Sequence, residues 1–210
     1  MSTVLYDISA PIDSDLCVWP GDRAFRREIA SEIGAGGPVT ASAIHTTVHV
    51  GTHADAFSHI TPDGATIDQM PLDTYIGRCR VIRVDVARPT AIRPGDLTES
   101  INTPRVLLAT GTFPDLTQFN EDFAALSVEL ADALHTAGVR LVGIDTPGVD
   151  LCAAADLPVH RRLAEHGIVS IEGLRLDHVP AGEYELIALP LRLVGCDASP
   201  LRAVLRPVAS

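Results

Sequence analysis

Lysine is absent from this 210-residue sequence, and all sixteen basic residues are arginine, a bias of composition that carries no function of its own. Against them stand 27 acidic residues, leaving a net charge of −11. That balance repels polyanions, which argues against a nucleic acid or an anionic membrane surface as partner. Cysteine is sparse: the nearest two of the four, Cys152 and Cys196, are 44 positions apart, and Cys17 and Cys79 are more isolated still. Without a C-x-x-C pair there is neither a zinc ribbon nor a thioredoxin-like redox motif. No uncharged apolar run reaches the roughly 18–20 residues of a membrane helix. Met1 to Ser14 carries Asp7 and Asp13 and lacks a basic region before an apolar core, so no signal peptide is expected. A cytoplasmic location with reduced thiols follows as the expectation. Also missing are the G-x-S-x-G elbow of serine hydrolases, the phosphate-cradling G-x-x-x-x-G-K-[ST] loop and the dinucleotide fingerprint G-x-G-x-x-G.

What is present is apolar and structured. Hydrophobic residues make up 46% of the chain, and the mean hydropathy is +0.21, enough to exclude disorder as the main state. The length fits one domain over residues 1–210, with no repeat or long linker; the glycine-rich stretch 33–38 reads as a mobile surface loop. Runs rich in Val, Ile and Leu predict strands at Val81–Val86, Val106–Thr110, Val139–Ile144, Ile168–Ile171 and Tyr184–Leu193. Pro190 within the last run implies an edge position or a bulge. Leu126, Leu130, Ala133, Leu134 and Ala137 recur at helical spacing behind the capping residue Ser127 and before the stop at Gly138. A shorter helix is predicted from about Pro158 to His166, ending at Gly167. The fold class is α/β, a mixed-sheet single domain with one main sheet and a second small one.

The chemistry concentrates in one place. Four of the eight histidines fall between His45 and His59, with Asp55 among them. Imidazole nitrogens and carboxylate oxygens bind Zn²⁺ at about 2.0–2.2 Å, so the groups must converge on a point. A straight strand separates His49 and His53 by about 13 Å at 3.3 Å per residue, and a straight helix turns Asp55 away from them. The chain must bend, and Gly51 permits the bend most cheaply. A metal-binding turn leading into or out of a helix is therefore expected. His45 shares the four-residue spacing and offers a competing triad; Asp55 favours the later register because a carboxylate can bridge two metals. Downstream, His160 opens the short helix and Glu172 ends a strand, positions where sites are often built. Trp19-Pro-Gly-Asp22 predicts a type II turn, its tryptophan either a core residue or part of a hydrophobic rim.

The run His49-Val-Gly-Thr-His-Ala-Asp-Ala-Phe-Ser-His59 resembles the H-x-G-T-H-x-D-x-P-x-H signature of the cyclase-like metal-dependent hydrolases. Tyr6-Asp-Ile-Ser9, Trp19-Pro-Gly-Asp22, Gly143-Ile-Asp-Thr-Pro147, Tyr184-Glu-Leu-Ile-Ala-Leu-Pro-Leu191 and Asp197-Ala-Ser-Pro200 extend the likeness along the chain, most closely to the bacterial-type kynurenine formamidase (arylformamidase) branch. The resemblance implies a swivelling β/β/α fold, a binuclear Zn²⁺ site and a homodimer or higher homo-oligomer. By position it implies that His49, His53 and Asp55 hold one metal, that Asp55 bridges to a second held by His160 and Glu172, and that His59 is the catalytic acid/base. Trp19 matches a pocket position, and Phe57, where the family has proline, would join it beside an aromatic ring. The implied reaction is hydrolysis of N-formyl-L-kynurenine to L-kynurenine and formate in tryptophan breakdown. Phe57 and the divergent segment 150–159 leave another amide or lactone, such as isatin, as the alternative substrate. A non-catalytic metal-binding protein is the alternative of another class, and a metal store has no use for a non-ligand His59.

Overall fold

The computed structural model describes residues 4–208, so the first three residues of the opening Met1–Ser14 segment lie outside the described residues. In chain order the strands are β1 (Tyr6–Asp7), β2 (Arg26–Ser31), β3 (Ala41–His45), β4 (His53–Asp55), β5 (Ile76–Arg83), β6 (Ala91–Ile92) and β7 (Arg105–Ala109). They continue as β8 (Ala125–Leu126), β9 (Leu141–Ile144), β10 (Val169–Glu172), β11 (Gly182–Ile187), β12 (Ala198–Pro200) and β13 (Val204–Pro207). Two α-helices, α1 (Val128–Thr136) and α2 (Pro158–Glu165), occur among the described residues. Nine strands form one mixed sheet in the order β1-β13-β11-β5-β7-β9-β10-β4-β12, while β2–β3 and β6–β8 form two small ones.

The middle of the large sheet is parallel: β5 pairs with β7, β7 with β9 and β9 with β10. Parallel strands need crossovers, and α1 and α2 supply those of β7–β9 and β9–β10 on one face. A second core covers the other face, which is why β7 and β9 are buried at every residue. Strand alternation sorts their side chains into two cores. Ile82, Leu108, Val142 and Ile144 pack with Leu130, Leu134 and Leu163 of the helices. Val81, Leu107, Leu141 and Ile171 face the other way, against Ile8, Leu174, Tyr184 and Leu186.

The expected strands are present with shifted ends, and the shifts have physical causes. β5 begins at Ile76, five residues before the expected apolar run, because its polar half is held by charge. Arg78 and Arg80 both pair with Glu183 of β11, which lies directly opposite Arg80. β11 stops at Ile187 rather than running to Leu193. It is an internal strand, bonded to β5 and β13, and Pro190 has no N–H for either ladder; it makes only an isolated bridge to Leu201. Stretch 33–38 is the connection of the β2–β3 hairpin and contains a 3₁₀ turn at Ile33–Ala35.

The α1 signal is realised as expected. Ser127 has extended backbone, and its Oγ accepts a hydrogen bond of 3.1 Å from the Leu130 N–H. Ser127→Ala should cost about 1 kcal/mol of stability, a fall in Tm of roughly 2–4 °C for a chain of this size. Thermal unfolding followed by circular dichroism checks this; an unchanged Tm would show that the cap contributes nothing.

Candidate metal centre

Three segments bring the candidate side chains together. β4 lies antiparallel beside β10 with His53 directly opposite Glu172. On β4 itself His53 and Asp55 are two residues apart and so share a face. Gly51, at φ +59°, turns the chain just before the strand and lets His49 fold back. His49 Nδ1 then lies 3.0 Å from Asp55 Oδ1. The bend expected at Gly51 is real, but it leads into a short strand and only then into the 3₁₀ turn Phe57–His59. A tight glycine just after the partner strand preserves this meeting. A Cβ on Gly173 would sit 2.3 Å from the Gly51 carbonyl oxygen.

His160, from the first turn of α2, completes the group. Its Nε2 is 3.1 Å from Glu172 Oε1 and 3.4 Å from Asp55 Oδ2, while Glu172 Oε2 is 3.4 Å from His53 Nε2. His59 stands beside them, its ring centroid 4.4 Å from that of His49 and 5.9 Å from that of His160. Among the described residues three sets of donor atoms each gather within 4.8 Å of one another: His49, His53 and Asp55; Asp55, His59 and His160; and His49, His59 and Asp197. Asp55 belongs to the first two, the placement a bridging carboxylate requires. His45 is elsewhere, on exposed β3 with Glu28 at 3.4 Å, so the structure selects the later register.

Each imidazole has one nitrogen engaged outside the cluster. His53 Nδ1 donates to the Gly51 carbonyl at 3.0 Å, His160 Nδ1 to Asp150 Oδ2 at 2.7 Å and His49 Nε2 to Asp197 Oδ2 at 2.9 Å. The other nitrogen is left for the centre, the arrangement by which outer groups orient metal-binding histidines. Asp150 and Asp197 are functional positions that sequence reasoning missed. Asp150 also accepts the Val159 and His160 N–H groups, both at 2.9 Å, and so fixes the start of α2 as well as the His160 ring. A lone aspartate in a loop has no periodic signature, and only the pairing of the folded chain reveals it.

The donor set fits a cation. Asp55 and Glu172 are only 6% and 3% exposed, and no arginine lines the cavity above them. Asp55 Oδ1 is buried without an aligned hydrogen bond although His49 Nδ1 is 3.0 Å away. Burial opposes charge on His49, yet Asp55 and Asp197 outweigh it and push the ring up to about 9. Burial opposes charge on His53 and His160 too, and their carboxylate partners again prevail and raise both. Against their own desolvation, the imidazoles hold Asp55 and Glu172 below the ordinary carboxylate range. A buried cluster of this kind holds protons that an incoming cation displaces.

The cluster forms the floor of a cavity of about 540 Å³. Trp19, Phe113 and Phe119 line its apolar wall, with Trp19 edge-on to Phe119 at 5.3 Å and 74°. The Trp19–Asp22 turn has its expected form, with the Asp22 N–H bonded to the Trp19 carbonyl and Gly21 at φ +97°. Trp19 therefore reaches the cavity, while Phe57 does not. Phe57 opens the 3₁₀ turn and packs its ring against the core around Ile8 and Leu107, so its expected place beside a substrate ring is corrected. The wall of phenylalanines had one signal: in a chain with five, three fall between Phe113 and Phe123.

Residues 6–151 match the model of the Cyclase family, and the chain belongs to that family. A solved structure described as a potential metal-dependent hydrolase with cyclase activity is 31% identical over all of both chains, with a TM-score of 0.86. Another, described as a predicted metal-dependent hydrolase from Bacillus stearothermophilus, is 32% identical over 98% of this chain and 99% of its own, with a TM-score of 0.84. Isatin hydrolase A from Labrenzia aggregata shares the fold at 23% identity, covering 99% of this chain and 94% of its own, with a TM-score of 0.81. The protein is thus a member of the Cyclase family with its candidate donors gathered on one cavity floor.

Ligand and non-ligand histidines separate experimentally. His53→Ala removes a donor nitrogen, so bound metal and activity should fall together. His59→Ala should retain metal and lower kcat by roughly 10²–10⁴, the usual contribution of a positioned acid/base. Elemental analysis alongside kinetics checks both; metal loss in His59→Ala would make His59 a ligand of the Asp55–His160 set instead.

Proposed function

We propose that the chain hydrolyses the amide bond of an aromatic amine, with N-formyl-L-kynurenine as substrate and L-kynurenine and formate as products. The observation that carries this reading is an aromatic wall that faces, across one cavity, a cluster of metal-type donors with the His59 imidazole beside it. Two zinc ions would be held by His49, His53 and Asp55, and by Asp55, His160 and Glu172. When bound, such ions supply Lewis acidity at a carbonyl oxygen and make water acidic enough to attack near neutral pH.

The rest is done by the chain itself. Trp19 and Phe119 offer ring faces and edges that hold an aryl group. His59 has its Nδ1 at 3.4 Å from Asp197 Oδ2, which leaves Nε2 to take a proton from water and deliver it to the leaving aniline nitrogen. An anilide nitrogen leaves more readily than an alkyl amine, so one imidazole suffices as the acid.

One feature favours a second substrate of the same chemical class. Among the described residues no arginine lines the cavity, so the α-carboxylate of an amino-acid substrate finds no guanidinium there, whereas isatin, a neutral cyclic anilide, needs none. The same reading includes a homodimer and a cytoplasmic location. Hairpin β2–β3 supports the first, because a two-stranded ribbon is marginal alone and this one exposes Ile29, Ile33, Val39 and Ile44. The four unpaired cysteines are compatible with the second, and no helix among the described residues is long and apolar enough to cross a membrane.

Formate release from N-formyl-L-kynurenine, measured beside ring opening of isatin and of simple lactones, tests the reading. Turnover of the formamide fastest supports it; isatin fastest transfers the assignment to the cyclic anilide; no turnover of any makes the chain a metal-binding protein without catalysis. Trp19→Ala should cost about 0.5–1.5 kcal/mol of substrate binding, a KM rise of roughly two- to tenfold. A large fall in Tm with unchanged KM would make Trp19 a core residue.

A further inference from the structure

Asp197 stands immediately before β12, whose register on β4 sets Ala198 opposite Asp55. Its carbonyl accepts the Ala56 N–H at 2.8 Å, so its backbone is pinned to the strand that carries the donors. From there a single oxygen, Oδ2, meets two imidazoles: His49 Nε2 at 2.9 Å and His59 Nδ1 at 3.4 Å. The side chain is 48% exposed, so desolvation does not oblige it to take these partners.

We propose that Asp197 is a positioning residue that sets the tautomers of His49 and His59 together, an inference that rests on the assignment of His59 to proton transfer. An ionised carboxylate only accepts hydrogen bonds, and a neutral imidazole carries one N–H. Each ring must therefore place its proton on the nitrogen facing Asp197. For His49 this leaves the Nδ1 lone pair directed at the Asp55 set. For His59 it leaves the Nε2 lone pair free to receive a proton. The same oxygen thus prepares a metal donor and an acid/base, and couples their orientations across rings whose centroids are 4.4 Å apart. Its longer contact, to His59, is the one expected to tighten when substrate is bound.

The test compares zinc-loaded wild type with Asp197→Ala and with Asp197→Glu, which keeps an acceptor-only carboxylate. Histidine tautomers are read by long-range ¹H–¹⁵N correlation, zinc affinity by chelator competition, and kcat and KM on whichever aryl amide the wild type hydrolyses. In Asp197→Ala, His59 should lose its Nδ1–H preference, zinc should bind about 10–100-fold more weakly, and kcat should fall by roughly 10² or more with KM within about threefold. Asp197→Glu should recover at least about tenfold of the lost kcat, with the wild-type tautomers restored. Unchanged tautomers and zinc affinity in Asp197→Ala would overturn the proposal, as would a third zinc lost selectively from that variant, which would make Asp197 a ligand. Should Asp197→Ala fail to fold, Asp197→Glu alone decides, since altered tautomers there would contradict the retained acceptor. If the wild type hydrolyses no aryl amide, the substrate assignment fails, while tautomers and zinc affinity still decide the role of Asp197.

Discussion

Burial of the Asp55 and Glu172 carboxylates, in a cavity that no arginine lines, is the constraint on which the rest of the site depends. An unpaired buried carboxylate is costly enough to take up a proton instead. Here three imidazoles surround the pair, and each is itself braced from outside by a carbonyl or carboxylate. The result is a shell of donors that face inwards and acceptors that face outwards. Such a shell has its charges satisfied in two ways, by protons on the rings or by cations between them, and the second releases the first.

The sheet supplies the precision. Glu172 and His53 are opposed by register, and a slip of one residue in β4 would turn both His53 and Asp55 to the other face. Parallel β9 and β10 fix the end of β10 against the middle of the fold. The helical crossover between them delivers His160 to the same edge, its start fastened by Asp150. Sites at the ends of parallel strands are common because loops of different origin meet there. In this molecule an antiparallel strand, β4, is added to that edge and carries the densest part of the donor set.

Much of this was legible in the sequence, and the parts that were not share a cause. The crowding of histidines beside Gly51 identified the bend, and the apolar runs located the four central strands because β7, β9 and β10 and the second half of β5 are largely buried. β4 was invisible as a strand, since His53-Ala54-Asp55 has polar residues on the face a periodicity search expects to be apolar. The polar start of β5 was missed for the same reason, its arginines being matched by Glu183 across the ladder. Asp150 and Asp197 act through partners 10 and 148 residues away, distances at which no local pattern operates. Phe57 was misplaced because adjacency in sequence to His59 does not decide which side of a 3₁₀ turn a ring takes.

The central claim is that Asp55 is shared between two metal ions, each completed by its own imidazoles. Anomalous scattering from crystals of the zinc-loaded protein, recorded on both sides of the zinc edge, tests it most directly. The account predicts two peaks flanking the Asp55 carboxylate, one against His49 and His53 and the other against His160 and Glu172, with His59 coordinated to neither. A single peak, or a pair that leaves Asp55 unshared, would contradict it.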